Sequence, residues 1–261
     1  MKRIGYTGLA TVAGMLCAAL AFATPAPNSA VIETRLFNDC PTSTLGPNTN
    51  LYPALISITD TMNPACVGNA NLHIWSVSEN GTDAALFVNS SHFSLAADVT
   101  VTGDGEGEAG MRFSPWWTRA DGKFMINAST GEIAVFSGRL PFYSFTVGHS
   151  ITYVKGSTVR MEIIYLANGL NSGSPATIEL KYTDGSGTYS SGALPYDEGN
   201  VGEAVHGLWG NTHDSTAGGY VQPRANTGED LTGTWGNIVF TNLDVVPTQK
   251  SSWGRIKSLY R

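Results

Sequence analysis

Three stretches of this chain alternate apolar and polar residues with a period of two. Phe93, Leu95, Ala97, Val99 and Val101 interleave with Ser94, Ala96, Asp98, Thr100 and Thr102. Val159, Met161, Ile163 and Tyr165 flank Arg160 and Glu162, and Ala176, Ile178, Leu180 and Tyr182 alternate with Thr177, Glu179, Lys181 and Thr183. Successive side chains on a strand point to opposite faces, so each stretch predicts a half-buried strand with one core face. Further strands are expected at Ile32–Phe37, Leu51–Ile58, Leu72–Val77 and Thr234–Val246. Between Glu106 and Phe145, glycines and Asx residues recur every few residues, which reads as a twisted antiparallel meander with an aromatic corner at Trp116 and Trp117. Helical periodicity is nearly absent and the chain holds thirty glycines. The expected fold is therefore all-β, a two-sheet antiparallel β-sandwich in one domain. No internal repeat points to a propeller or solenoid.

The ends differ from this body. Lys2 and Arg3 precede an apolar run from Leu9 to Phe22, and Ala21-Phe22-Ala23 is a small-x-small cleavage site, so residues 1–23 read as a secretory signal peptide. Acylation at Cys17 is the rival reading, with Leu16 where a lipobox wants a small residue. Residues 24–31 form a Pro-containing lead-in expected to be flexible, and residues 32–246 the sandwich. In the tail, 247–261, Trp253, Ile256 and Tyr260 share one face beside Arg255, Lys257 and Arg261. That pattern predicts a short basic amphipathic helix, either docked or serving as a C-terminal sorting tail that meets a surface partner. The chain is expected to be secreted or held at a bacterial cell surface, with no transmembrane anchor once the leader is removed.

Charge and cysteine content narrow the partners. Loss of the leader moves the net charge from −6 to −8, because Lys2 and Arg3 go with no acid. An acidic body disfavours nucleic acid and anionic polysaccharide and tolerates neutral glycans and cations. Cys40 and Cys66 remain, and in an exported chain two cysteines pair more readily than they serve as separate thiols or metal ligands.

With the strands laid out, the chain resembles the concanavalin A-like lectin/glucanase superfamily, a jelly roll with laminin-G-like relatives. The residues that carry the likeness are Phe93–Thr102, Ala109–Phe113 before Ser114-Pro115-Trp116-Trp117, Asp121-Gly122-Lys123-Phe124, Tyr153–Val159 and Ile238–Val246. The resemblance implies a jelly roll and, by analogy alone, a glycan bound on a concave sheet or rim. The catalytic Glu-x-Asp-x-x-Glu stretch of the related glucanases is absent, which leans against an enzyme. Ala217-Gly218-Gly219-Tyr220-Val221-Gln222 is similar to the Ala-Gly-x-Tyr-x-Gln element of jelly-roll alginate lyases. The lysine that precedes that element and the Gln-x-His element are both missing, and Arg160-Met161-Glu162 matches the family's Arg-x-Glu only poorly.

Several residue groups are candidates for chemistry. Asp104, Glu106 and Glu108 alternate on one face about 7 Å apart, a spacing open to a calcium turn, an acid/base pair or a plain acidic loop. His206 and His213 flank Trp209 at a spacing that fits no compact zinc pattern. Sugar rings stack on exposed aromatic faces, and adjacent Trp116 and Trp117 cannot both point the same way on a strand. The expected ligand-binding set is Trp116, Trp117, Arg112, Asn127, Arg139, Tyr143, His206 and Trp209. The function these features predict is a secreted, non-catalytic module for a neutral glycan. The alternatives are a surface or matrix structural protein displayed through its tail, and a glycan hydrolase or polysaccharide lyase.

Overall fold

A computed structural model describes residues 24–113, 122–138, 140–196, 206–208, 215–224 and 228–244. The expected leader, the tail helix, Trp116, Trp117, Arg139 and Trp209 lie outside these residues. The chain forms β1 (Ser29–Glu33), β2 (Thr44–Leu45), β3 (Thr49–Leu51), β4 (Leu55–Thr61), β5 (His73–Ser78), β6 (Phe93–Thr102), β7 (Gly107–Phe113) and β8 (Lys123–Asn127). It continues through β9 (Ile133–Phe136), β10 (Tyr143–Ser144), a single turn of helix α1 (Phe145–His149), β11 (Thr158–Leu166) and β12 (Thr177–Asp184). The last strands are β13 (Gly187–Ser190), β14 (Leu194–Pro195), β15 (Ala217–Pro223) and β16 (Asp230–Asn242).

These strands make two antiparallel sheets packed as a jelly-roll sandwich. A seven-stranded sheet runs β1-β5-β15-β7-β8-β9-β10, and a nine-stranded sheet runs β13-β12-β11-β6-β16-β4-β2, with β14 on β12 and β3 on β4. The period-two strands all belong to the larger sheet: β4, β11 and β12 alternate buried with partly exposed residues along their length. Their apolar faces join Trp75, Phe113, Phe124 and Trp235 in one core between the sheets.

The two tryptophans pin the sheets together. Trp75 of β5 meets Trp235 of β16 edge to face, with ring centroids 6.0 Å apart, and Trp235 Nε1 donates to the Gly110 carbonyl of β7 at 3.0 Å. Gly219 of β15 lies beneath both rings, where a Cβ would stand 2.3 Å from Trp75 Nε1 and 2.5 Å from Trp235 Nε1. Only glycine leaves room there.

The seven-stranded sheet behaves differently. Every residue of its central strands β5, β7 and β15 is buried, on both faces. A strand covered on both sides loses its polar alternation, which is why His73–Ser78, Gly107–Phe113 and Ala217–Pro223 give no clean period-two signal. Other boundaries shift as well. The first strand begins at Ser29, inside the expected lead-in, because Ser29–Glu33 pairs in register with β5. A turn at Ala54, whose amide donates to the Leu51 carbonyl, separates β3 from β4 where one strand over Leu51–Ile58 is expected. The closing strand starts at Asp230 and slips register between Gly236 and Val239, around the left-handed Asn237.

Cys40 and Cys66 form a disulfide, with a Cα separation of 5.9 Å. Beside it lies an interior polar network that ties the two sheets at one end. Asp60 of β4 accepts from Asn71, from Ser43 at 3.3 Å and from His73 Nε2 of β5 at 2.9 Å. The Arg35 amide donates to His73 Nδ1 at 3.3 Å, which leaves the ring proton on Nε2, facing Asp60. Cys40 N donates to Asn71 Oδ1 at 2.6 Å, joining the disulfide loop to the network. Burial alone would raise the Asp60 pKa, but hydrogen bonds from His73 and Asn71 and the charge of Arg35 outweigh it and hold the carboxyl below its ordinary value.

Candidate functional site

The outer face of the seven-stranded sheet collects polar side chains that a purely structural sheet has little reason to bury. Register places Ser76 of β5, Gly218 of β15, Arg112 of β7 and Lys123 of β8 in one row across four strands. The next row holds Ile74, Tyr220, Gly110 and Met125, and a third pairs Gln222 with Glu108 and Glu108 with Asn127. Period two sends Arg112, Gly110 and Glu108 to the same side of β7, and Gly218, Tyr220 and Gln222 to the same side of β15. Ile74, Tyr220, Met125 and Ala134 form an apolar cluster separate from the main core, with Leu36 and Phe136 against it.

Gly110 and Gly218 leave two of these register positions without a side chain. Lys123 reaches over β7: its ammonium donates to Glu108 Oε1 and to Gln222 Oε1, and stands 5.1 Å from the centre of the Tyr220 ring. Gln222 is held in that orientation because its Nε2 donates to the Ala70 carbonyl at 3.2 Å. Gly110 is further fixed as glycine by a close approach, since a Cβ would lie 2.1 Å from the Phe124 carbonyl oxygen. Arg112, fully buried, donates from Nη2 to Ser76 Oγ at 2.7 Å and to Thr216 Oγ1 at 3.0 Å. Thr216 stands just before β15, so the Arg112 guanidinium links β5 to the entry of β15.

Tyr220 lies at the centre and is fully buried. Its hydroxyl makes no hydrogen bond of good geometry among the described residues. Burial, and then the neighbouring Glu108 carboxylate, push its pKa well above the ordinary phenol value. The phenol is therefore a proton donor at neutral pH. Buried polar groups are nearly always satisfied, and the Tyr220 hydroxyl lies against the Glu108 carboxylate, whose charge and hydrogen bonding favour the protonated phenol.

Not every residue expected from the sequence comes to this face. Arg112 does, and Glu108 does, though in a different role. Among the described residues no group of three His, Cys, Asp or Glu is placed to hold a metal ion, Asp104, Glu106 and Glu108 included. Glu108 turns onto the sheet toward Lys123, and the Gly103 and Gly105 carbonyls receive the Lys155 ammonium at 3.0 and 3.1 Å. Asn127 caps a turn, accepting from Ser129 N at 2.9 Å and Thr130 N at 3.0 Å. The Tyr143 hydroxyl meets His149 Nε2 at 3.0 Å beside α1, and the His206 carbonyl accepts from Ala176 N at 2.8 Å. Lys123 is the member that no sequence pattern marks, because it follows Asp121-Gly122 and reads as the exit of a turn. Tyr220 and Gln222 were legible through the Ala-Gly-x-Tyr-x-Gln element and its period of two.

No family model matches the chain, and no curated protein matches it. Among solved structures, it is similar to the polysaccharide lyase family 18 protein aly-SJ02, at 11% identity over 81% of this chain and 94% of that one, with a TM-score of 0.41. It is also similar to an alginate lyase from Alteromonas sp. 272, at 12% identity over 76% of this chain and 93% of that one, again with a TM-score of 0.41. The expectation of a non-catalytic module for a neutral glycan is corrected here. Both of these structures are of proteins named as lyases. Of the aromatics and polar groups in the described residues, Trp75, Trp235 and Arg112 are fully buried and form no stacking platform. Among the described residues no helix is long and apolar enough to cross a membrane.

Proposed function

We propose that the chain is a jelly-roll polysaccharide lyase, exported, with its reaction centre on the Tyr220 face of the seven-stranded sheet. One observation carries this reading: a phenol held protonated sits against a lysine, a carboxylate and an amide, with a guanidinium in the adjacent row.

Lyase chemistry has a use for each of these five groups. A uronate residue loses the proton beside its carboxylate, an electron pair moves to form a carbon–carbon double bond, and the glycosidic oxygen leaves with a proton. No water is consumed. Lys123, Arg112 and Gln222 are the groups to bind the uronate carboxylate and stabilise the charge that builds on it. Glu108, once the substrate takes over its lysine, is the proton acceptor. Tyr220 is the donor to the departing oxygen; its raised pKa keeps the proton on the phenol until the leaving oxygen, more basic once the bond breaks, takes it. The negative body does not prevent this, because exposed charges farther away than about 8–10 Å are largely screened in physiological salt.

The test is an ultraviolet assay for unsaturated uronate, run on alginate and a panel of other polyuronates with the protein from residue 24 onward. Activity on one of them that falls about 100-fold or more in Tyr220→Phe, in a variant that keeps its near-ultraviolet circular dichroism, supports the proposal. Folded protein that releases unsaturated product from none of them would overturn it.

A further inference from the structure

The start of the described chain is clamped rather than loose. Thr24 N donates to Asp244 Oδ2 at 3.2 Å, Thr24 Oγ1 accepts from His92 N at 3.0 Å, and Thr24 O accepts from Asn242 Nδ2 at 3.5 Å. The amide, hydroxyl and carbonyl of one residue are thus taken up by two separate places, the entry to β6 and the end of β16 with the residues just past it. The following residues continue the clamp, with Ala26 N on Glu79 Oε1 at 2.8 Å and Asn28 N on the Ser78 carbonyl at 3.0 Å. Asp244 is itself held in place, its amide donating to Asn242 Oδ1 at 2.8 Å, and its other carboxylate oxygen lies 3.8 Å from His92 Nδ1.

A carboxylate aimed at the nitrogen of the residue that follows Ala21-Phe22-Ala23 fits a chain end that carries a positive charge. We infer that the Ala23–Thr24 bond is a processing site and that the ammonium released there pairs with Asp244, so that cleavage itself completes the fold's edge. The step is a hydrolysis by a peptidase of the export pathway. Water adds across the amide, Ala23 leaves with a carboxylate, and Thr24 keeps the nitrogen as an ammonium with donors to spare for Asp244. The amide in the uncut chain offers one hydrogen and no charge. A charge-assisted bond is the stronger of the two.

Two measurements decide it. Expression of the full chain with its leader in an exporting bacterial host, followed by intact mass and N-terminal sequencing, is expected to show a start at Thr24; a start at any other residue overturns the processing site. For the pairing, Asp244→Asn is made in protein starting at Thr24 and in protein with one glycine added before Thr24, and unfolding is followed in urea at pH 6. The substitution is expected to lower the folded-to-unfolded ratio about threefold to tenfold in the first and less than twofold in the second. Equal effects in both would overturn the ammonium–carboxylate pair. Asparagine keeps the shape and the acceptor oxygen of Asp244, so both proteins should fold. As a second readout, the Thr24 α-amino group is expected to titrate above the ordinary range of about 7.7–8.0. Asp244, His92 and Glu79 are the ionisable groups that face this end of the chain. A group whose folded pKa is raised contributes stability below its unfolded pKa and loses it as pH rises through the folded one, so the difference between the two proteins should fade at alkaline pH.

Discussion

The Lys123 ammonium of β8 reaches over β7 to stand 5.1 Å from the ring centre of Tyr220 on β15, two strands away. It crosses β7 between the Arg112 and Glu108 positions, where Gly110 carries no side chain, and it ends on Glu108 and Gln222. Side-chain exposures of 13% for Lys123 and 8% for Glu108 place this pair out of bulk water.

Removing one member should therefore cost more than removing both. Lys123→Met is expected to destabilise by about 3 kcal/mol, since it strands a buried carboxylate, and Glu108→Gln in that background should recover part of the loss. Urea denaturation of the two single variants and the double variant measures the coupling. Strictly additive losses would show that the pair does not interact.

Acid stability should depend on Asp60. Its folded pKa is depressed, so its contribution to stability is present above the unfolded value near about 3.9 and is lost as pH falls through the folded value. In Asp60→Asn the network loses its charge, the protein should be less stable at neutral pH, and the gap to the parent should narrow below about pH 4. Thermal melts between neutral pH and strong acid check this; a gap that does not change with pH contradicts it.

Gly219→Ala tests the packing of the core. The new methyl would collide with the indole nitrogens of Trp75 and Trp235, both fully buried, so the sheets must part or the rings must turn. A loss of about 1–3 kcal/mol is expected, with a changed near-ultraviolet tryptophan signal. Retained stability and an unaltered spectrum would show that the rings have room.

Replacing both Cys40 and Cys66 by serine is expected to cost about 2–5 kcal/mol, the range for a native disulfide. Because Cys40 N anchors Asn71, which anchors Asp60, part of that loss should appear as faster hydrogen exchange at Cys40 and His73. Protection unchanged at these amides would uncouple the disulfide from the network.

The sandwich was legible where one face meets water. Thr158–Leu166, Thr177–Asp184 and the second half of Phe93–Thr102 alternate because water sorts their side chains, and all three strands pair as neighbours in the larger sheet. The seven-stranded sheet hides its strands because both faces are covered, and a polar residue such as Arg112 or Glu108 then reads as a surface residue when it is buried. The site suffered from the same effect. Its residues come from β5, β7, β8 and β15, which are distant in sequence and joined only by strand register. Tyr220 and Gln222 share one short strand and left a trace, whereas Lys123 owes its role to a neighbour's glycine, which no spacing along its own strand records.

The most direct test of the central claim is the release of unsaturated uronate from polyuronates by the protein and by its Tyr220→Phe variant. Production by the parent and a loss of about 100-fold or more in the folded variant is the predicted result. Product formed equally well by the variant would take Tyr220 out of the chemistry, and no product from any polyuronate would contradict the lyase assignment itself.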